Sequence, residues 1–310
     1  MKRRVGVIGT GWVGSSVAIS TLHSGVADEL LLHDVRAELA EGEAMDLAHG
    51  ASFYPAASVR AAAIEEMAGL DVVVVAAGRG GRPGESRLDL LRENAAVIRE
   101  IGSRLHGYPG TVVMVSNPVD VLTRVMTEVS GLDPARVIGT GTMLDTARLR
   151  HAVGRILDVD PHSVHGQVIG EHGDSEVVLW STASIGGLAL RSWPGWDRKV
   201  EPDVAREVRT AAQEIIRRKG ATNHAIGLVT ANLLRCLLRD ERRVLTVSRV
   251  HDAVEGIANV ALSLPAIVGA MGAATVLSPE MSDEERKALR HSAEVLSKAG
   301  AALNSSLERS

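Results

Sequence analysis

The first half of the chain alternates short apolar runs with stretches of mixed polarity. Val5-Gly6-Val7-Ile8 follows the basic opening Met1-Lys2-Arg3-Arg4 and reads as a buried strand over 4–8, with a helix over 12–24 behind it. Leu30-Leu31-Leu32-His33 gives a second strand, followed by a helix over about 36–50. Further strands fall near 57–62, 71–76 (Asp71-Val72-Val73-Val74-Val75-Ala76) and 111–115 (Thr111-Val112-Val113-Met114-Val115). Valine runs without alternation mean strands buried on both faces. Strands of that kind spaced by helices imply a parallel sheet with right-handed crossovers. The pattern is that of a doubly wound nucleotide-binding architecture.

The second half changes character. Helices near 142–157, 203–219 and 223–239 sit among strands near 163–170, 176–182, 243–248 and 258–264. A last amphipathic helix begins after Ser282, whose hydroxyl caps it with Glu285 completing a capping box, and ends near Leu307. The change falls at Gly139-Thr140-Gly141. The expected fold class is therefore α/β. Residues 1–140 form an N-terminal Rossmann-type domain with a doubly wound parallel sheet, and residues 141–310 form a C-terminal α+β substrate domain.

Composition narrows the classes. A chain of 310 residues buries a large core without a metal or disulfide staple. Its single cysteine, Cys236, allows no internal disulfide. A net charge of −4 argues against a nucleic-acid partner, whose footprint is a basic face. Only seven aromatics are present, which leaves few stacking platforms, whereas 31 glycines must do backbone work somewhere. Arginine outnumbers lysine 29 to 5, from coding bias or from selection for thermostability or anion binding. No targeting segment and no apolar run of membrane-spanning length is visible, so the expected place is the cytoplasm.

Gly9-Thr10-Gly11-Trp12-Val13-Gly14 fits G-x-G-x-x-G between a strand and a helix, and Asp34 closes the next strand. The first glycine makes the tight turn, the second admits a pyrophosphate to the backbone, and the third lets helix pack on strand. The pyrophosphate then meets the N–H groups and dipole of a helix N-terminus. Asp34 can accept the ribose hydroxyls and would repel a 2′-phosphate, which selects NAD over NADP, with Arg36 weakening that exclusion a little. Gly78, after the valine strand, lets the dinucleotide pass over the sheet's carboxyl edge.

Three segments carry further chemistry. Gly80-Gly81-Arg82-Pro83-Gly84-Glu85-Ser86-Arg87 is a glycine-rich loop entering a helix. Ser116-Asn117-Pro118-Val119-Asp120 follows a strand. Leu144-Asp145-Thr146-Ala147-Arg148 and Gly170-Glu171-His172-Gly173-Asp174-Ser175 lie in the second half. With these strings the chain resembles the L-lactate/L-malate dehydrogenase family over essentially its whole length, and most closely the bacterial L-lactate dehydrogenases.

The resemblance implies an NAD-dependent oxidoreductase for a small 2-hydroxy acid, with pyruvate and L-lactate as the expected pair in glycolysis and fermentation. It makes His172 the proton donor and acceptor, a task suited to imidazole. It makes Asp145 the carboxylate that orients His172. Arg148, three residues on and so on the same helix face, becomes the bidentate grip on the substrate carboxylate. Arg87 becomes the loop arginine that polarises the keto oxygen on closure. Asn117 becomes a contact of both nicotinamide ribose and substrate, with Trp12, Val13 and Ile226 as cofactor neighbours and Thr222 as a wall of the substrate site.

One position departs from the family. Two residues before Pro83-Gly84, lactate enzymes carry Gln and malate enzymes Arg, but this chain has Gly81. Either the site is larger and takes bulkier 2-oxo acids, or Arg79 or Arg82 swings in and favours oxaloacetate. Thr222 favours the lactate-type or broad reading. Gly80 and Gly81 should each cost loop closure about 0.4–1 kcal/mol through open-state entropy.

Arg150 and His165 match the residues that bind fructose 1,6-bisphosphate across a two-fold axis in bacterial relatives, which implies allosteric control in a homotetramer, a dimer of dimers. Two other classes compete. A non-catalytic NAD-binding regulator would lack the acid, base and arginines that this chain keeps. A metal hydrolase built on His172 and Asp174 would need a further ligand cluster at suitable spacing, and the sequence offers none, so no metal is expected.

Overall fold

The computed structural model describes residues 2–81 and 87–307. Six strands form a parallel sheet: β1 (Arg4–Ile8), β2 (Glu29–His33), β3 (Ser58–Ala61), β4 (Val72–Val75), β5 (Thr111–Met114) and β6 (Val137–Gly139). Helices α1 (Trp12–His23), α2 (Ala37–His49), α3 (Arg87–Arg104) and α4 (Val119–Ser130) carry the crossovers. The spatial order β3-β2-β1-β4-β5-β6 reverses direction at β1, as the doubly wound reading requires. The valine run of β4 is buried throughout because its side chains alternate between two cores. Val72 and Val74 join Val5, Val7 and Leu30 on one face, whereas Val73 and Val75 join Ile8 and Leu31 on the other.

After β6 come α5 (Met143–Leu157) and five two-residue strands: β7 (Val164–His165), β8 (Val168–Ile169), β9 (Val177–Val178), β10 (Ser184–Ile185) and β11 (Leu188–Ala189). Helices α6 (Glu201–Lys219) and α7 (His224–Arg239) follow, then strands β12 (Arg243–Val254), β13 (Ile257–Gly269) and β14 (Gly272–Val276). The chain closes with α8 (Asp283–Leu307). Under α5 and α6 lies a third core of Leu149, Val153, Val164, Val204 and Val208.

Three differences from the sequence pattern have physical reasons. The strand expected over 163–170 is broken between His165 and Val168, where Gly166 gives its carbonyl to Arg150 instead of to a ladder. The strands expected over 243–248 and 258–264 are both longer, because β12 and β13 pair as one antiparallel hairpin from Arg243↔Val268 to Val254↔Ile257. The hairpin's pairing carries polar residues such as Ser248 and His251 that an apolar pattern does not mark. The two halves also share one sheet. β12 meets β6 antiparallel at Ser248↔Gly139, so nine strands run continuously through the molecule. A Cβ at Gly139 would lie 2.6 Å from Thr123 Oγ1 and 3.0 Å from Ser248 Cβ, so this junction needs glycine.

The halves are also tied behind the sheet. Helix α7 crosses α1 so closely that a Cβ at Gly227 would lie 2.5 Å from the Ser16 carbonyl oxygen. Asn223 Nδ2 donates to Ser16 Oγ at 2.9 Å beside that crossing. The box at Ser282 forms, with Ser282 N–H donating to Glu285 at 2.8 Å and Glu285 N–H donating to Ser282 Oγ at 3.2 Å. Among the described residues, no helix is long and apolar enough to cross a membrane.

Candidate active site

The glycine motif forms the turn from β1 into α1. Gly9 has φ of +92°, and a Cβ there would lie 2.6 Å from Ala77 N. A Cβ at Gly14 would collide with the Gly9 carbonyl oxygen, so helix and strand touch through this glycine. A Cβ at Gly11 would meet nothing within 4 Å among the described residues, and its backbone faces an open cleft of about 660 Å³. Asp34, Arg36, Gly78, Arg79 and Asn94 line the same cleft. Trp12 is exposed at the entry of α1, whereas Val13 and Ile226 pack on the core beneath. A cradle of bare backbone at a helix N-terminus, with a carboxylate at its far side, fits a dinucleotide.

Asp34 is already engaged. Its Oδ2 accepts Thr10 N–H at 2.9 Å, and its Oδ1 accepts Arg36 N–H at 3.0 Å. Burial would raise its carboxyl and is the largest single influence. The Thr10 and Arg36 N–H groups and the Arg36 charge together outweigh it and hold the carboxyl below its usual range. The Arg36 guanidinium stands 3.6 Å from Asp34 Oδ1.

The second cluster lies where the two halves meet. Helix α5 presents Asp145 in its first turn, and Arg148 one turn later donates to Asp145 Oδ1 from Nη1 at 2.8 Å. The His172 loop joins β8 to β9. Gly170 pairs with Ser263 of β13 through both backbone groups, and Glu171 N–H donates to Ser292 Oγ of α8 at 2.6 Å. Glu171 folds back to accept from the N–H and hydroxyl of Ser175, which closes the turn. His172 Nδ1 then lies 2.5 Å from Asp145 Oδ2.

The electrostatics follow from that contact. Burial works to lower the His172 pKa and is the largest single influence on it. The charge and hydrogen bond of Asp145, with Asp120 behind, overcome it and push the imidazole up to about 9. Asp145 is itself almost wholly buried. Burial would raise its carboxyl, but the His172 charge and hydrogen bond, then Arg148, hold it below its usual range. With Nδ1 committed to Asp145, Nε2 is the nitrogen left for a substrate.

Three residues of the site carried no role in the sequence reading. Asp120, in the first turn of α4, accepts His172 N–H at Oδ2 at 2.8 Å, and its Oδ1 has no hydrogen-bond partner among the described residues. Burial pushes Asp120 up to about 6 against the pull of the nearby Ser248 hydroxyl, the His172 N–H and the His172 charge. Glu176 is buried beside the pair, and burial together with the Asp145 charge raises its carboxyl well above the ordinary range. The third is Asn94, on α3. The available signals were a lone carboxylate in the apolar run Val119-Asp120-Val121-Leu122 and a second glutamate just past the histidine turn.

The remaining expected residues spread around these two clusters. Asn117 follows β5, and Thr222 lies half-buried between α6 and α7. Gly81 is exposed, and a Cβ there would make ordinary contact with Leu90 at 3.4 Å. Arg79 is bound to Glu93 at 2.6 Å. Arg82 lies outside the described residues. Arg87 opens α3, but its side chain also lies outside them. Arg150 lines a separate cavity of about 320 Å³ with Arg243 and Asn232, whereas His165 is exposed on β7.

Comparison with known proteins agrees along the whole chain. Residues 3–139 match the lactate/malate dehydrogenase NAD binding domain, and residues 142–304 match the lactate/malate dehydrogenase alpha/beta C-terminal domain. The L-lactate dehydrogenase of Thermus aquaticus is 46% identical over 307 residues, covering 97% of this chain and 99% of that protein. The L-lactate dehydrogenase of Synechococcus sp. (strain JA-3-3Ab) is 44% identical over 293 residues, covering 94% and 96%. The crystal structure of MGS-M5, a lactate dehydrogenase from a Medee basin deep-sea metagenome library, superposes with a TM-score of 0.94 at 36% identity, covering 98% of this chain and all of that one. The minor L-lactate dehydrogenase from Enterococcus mundtii gives 0.93 at 38% identity, covering 98% of each chain.

Proposed function

The chain belongs to the lactate/malate dehydrogenase family, and on that premise we propose that it interconverts pyruvate and L-lactate with NAD as cofactor. The observation that carries this reading is the buried His172–Asp145 contact with Arg148 on the same carboxylate. It supplies a proton donor and an anion grip at one place.

Gly9, Gly11 and Gly14 would hold the pyrophosphate, with Asp34 at the ribose and Trp12, Val13, Gly78 and Ile226 around the cofactor. NADH supplies the hydride for C2 of the 2-oxo acid when bound. Arg148 keeps N–H donors beyond the one spent on Asp145, and these take the substrate carboxylate. That grip turns the keto oxygen toward His172 Nε2. The raised pKa keeps His172 protonated at neutral pH, so its proton is ready as charge grows on that oxygen. His172 ends as a neutral imidazole held in one tautomer by Asp145, and it takes the proton back when lactate is oxidised. Asn117 and Arg87 are assigned to the same oxygen, where stabilisation counts most in the transition state. Residues 1–140 act as the cofactor domain and residues 141–310 as the substrate domain in this reading.

The missing side chain at Gly81 favours a second substrate class, bulkier 2-oxo acids, beside pyruvate. Thr222 and the masked-charge state of Arg79, which is bound to Glu93, favour these over oxaloacetate. Arg150 supports fructose 1,6-bisphosphate as an effector. Its Nε donates to the Gly166 carbonyl, no carboxylate pairs with it among the described residues, and Arg243 stands close enough to repel it. His165 would add a second hydrogen-bonding group, and a homotetramer in the cytoplasm would bring two copies of each together. The test is NADH consumption by the purified protein with pyruvate, oxaloacetate, 2-oxoisocaproate and phenylpyruvate. Turnover with pyruvate is expected, together with activity on the larger acids. NADH binding without turnover on any of the four would contradict the reading.

A further inference from the structure

Asn94 is 2% exposed, and its carboxamide bonds to two backbone segments at once. Its Oδ1 accepts Arg79 N–H at 3.0 Å. Its Nδ2 donates to the Arg79 carbonyl at 3.1 Å and to the Asn117 carbonyl at 3.0 Å. A carboxamide has two N–H donors and one carbonyl, so both donors and the acceptor are in use. Arg79 lies past the end of β4 and Asn117 past the end of β5. The last ladder bonds between these neighbours are those of Val115 and Ser116 to the Val75 carbonyl. Ser116 Oγ adds a tie to the Ala77 carbonyl at 2.5 Å. Asn94 supplies the next rung, where the backbones have separated.

Gly78 belongs to the same arrangement. It has φ of +137°, and a Cβ there would lie 3.1 Å from Asn94 Oδ1. A side chain at 78 would therefore press on the rung as well as on the cofactor cleft. Aspartate at 94 would keep the acceptor but lose both donors. Arg79 and Asn117 would then each have a carbonyl without that partner, a costly arrangement in a buried site.

We propose that Asn94 is a positioning residue that sets the spacing between the Gly78–Arg79 wall of the cofactor cleft and Asn117. It acts on catalysis through Asn117, and so rests on the reading in which Asn117 contacts the substrate oxygen. It moves no proton and touches no substrate.

The test uses Asn94→Ser, Asn94→Asp, Asn117→Ala and the Asn94→Ser/Asn117→Ala double variant of the full chain. Both Asn94 variants should lower kcat for pyruvate reduction by about fivefold or more, with NADH Kd raised no more than in Asn117→Ala. The double variant should lose no more than Asn117→Ala alone, because one residue acts through the other. Amide hydrogen exchange of the cofactor-free Asn94→Ser protein should speed up at Arg79 while the β1 and β4 amides keep their protection. A kcat loss below that size, a loss matched by NADH affinity and Tm, additive losses in the double variant, or failure of both Asn94 variants to fold would each make Asn94 a packing residue and overturn the proposal. A normal kcat for Asn117→Ala would instead contradict the active-site reading itself, and this inference with it.

Discussion

His172 Nδ1 stands 2.5 Å from Asp145 Oδ2, although the two residues are 27 positions apart and come from a loop and a helix. The contact is between a carboxylate held charged by its surroundings and an imidazole held protonated up to about pH 9. In the proposed reaction that proton goes to pyruvate. The rate should therefore hold up to about pH 9 and fall above it. Asp145→Asn removes the main influence raising the imidazole pKa. The alkaline limb of the kcat/KM profile should then move down toward the ordinary imidazole value of about 6.5. Linkage gives stability the same sign. A raised pKa contributes stability that is whole below the unfolded value and fades as pH rises through about 9. Over that window, the Tm of the cofactor-free protein should fall more than the Tm of His172→Ala.

In the proposed reading, Gly81 leaves the substrate's C3 end without a facing side chain. Gly81→Gln should raise kcat/KM for pyruvate and lower it for phenylpyruvate. Part of the gain should come from the roughly 0.4–1 kcal/mol of open-state entropy that a glycine carries. Because a Cβ at 81 meets, among the described residues, Leu90 at ordinary contact distance, the change should leave Tm nearly unaltered. Steady-state kinetics with the two acids checks this, and unchanged pyruvate kcat/KM would contradict it.

Arg150 is a partly buried cation beside Arg243 with no carboxylate partner among the described residues. If a bisphosphate supplies the missing anion, fructose 1,6-bisphosphate should lower the pyruvate KM of the intact protein. Arg150→Gln should remove the effect and leave the basal rate in place. Rates measured with and without the effector from pH 5.5 to 8 check both, and no response at any pH in that range would contradict the effector assignment.

The parts of the molecule legible in the sequence are those whose physics is local. The turn at Gly9–Gly14, the valine strands and the box at Ser282 each follow from a few adjacent residues, and the structure forms them where the pattern places them. The short β6 was not legible, because its three residues are a strand only by virtue of lying between β5 and β12. The break after His165 goes with Arg150 reaching the Gly166 carbonyl from α5. The site divides the same way. His172, Asp145 and Arg148 stand in recognisable strings. Asp120, Glu176 and Asn94 do their work through neighbours 52 and more positions away in the first case, and through burial or backbone contacts in the other two. No local spacing encodes such relationships.

The central claim is that His172 supplies the proton in an NADH-dependent reduction. The most direct measurement pairs the pyruvate turnover of His172→Ala with its NADH affinity. Turnover should fall by about 10²-fold or more, the scale of a lost general acid, while NADH Kd stays within about twofold. Turnover that persists near the wild-type rate, or a loss explained by weaker NADH binding, would contradict the account.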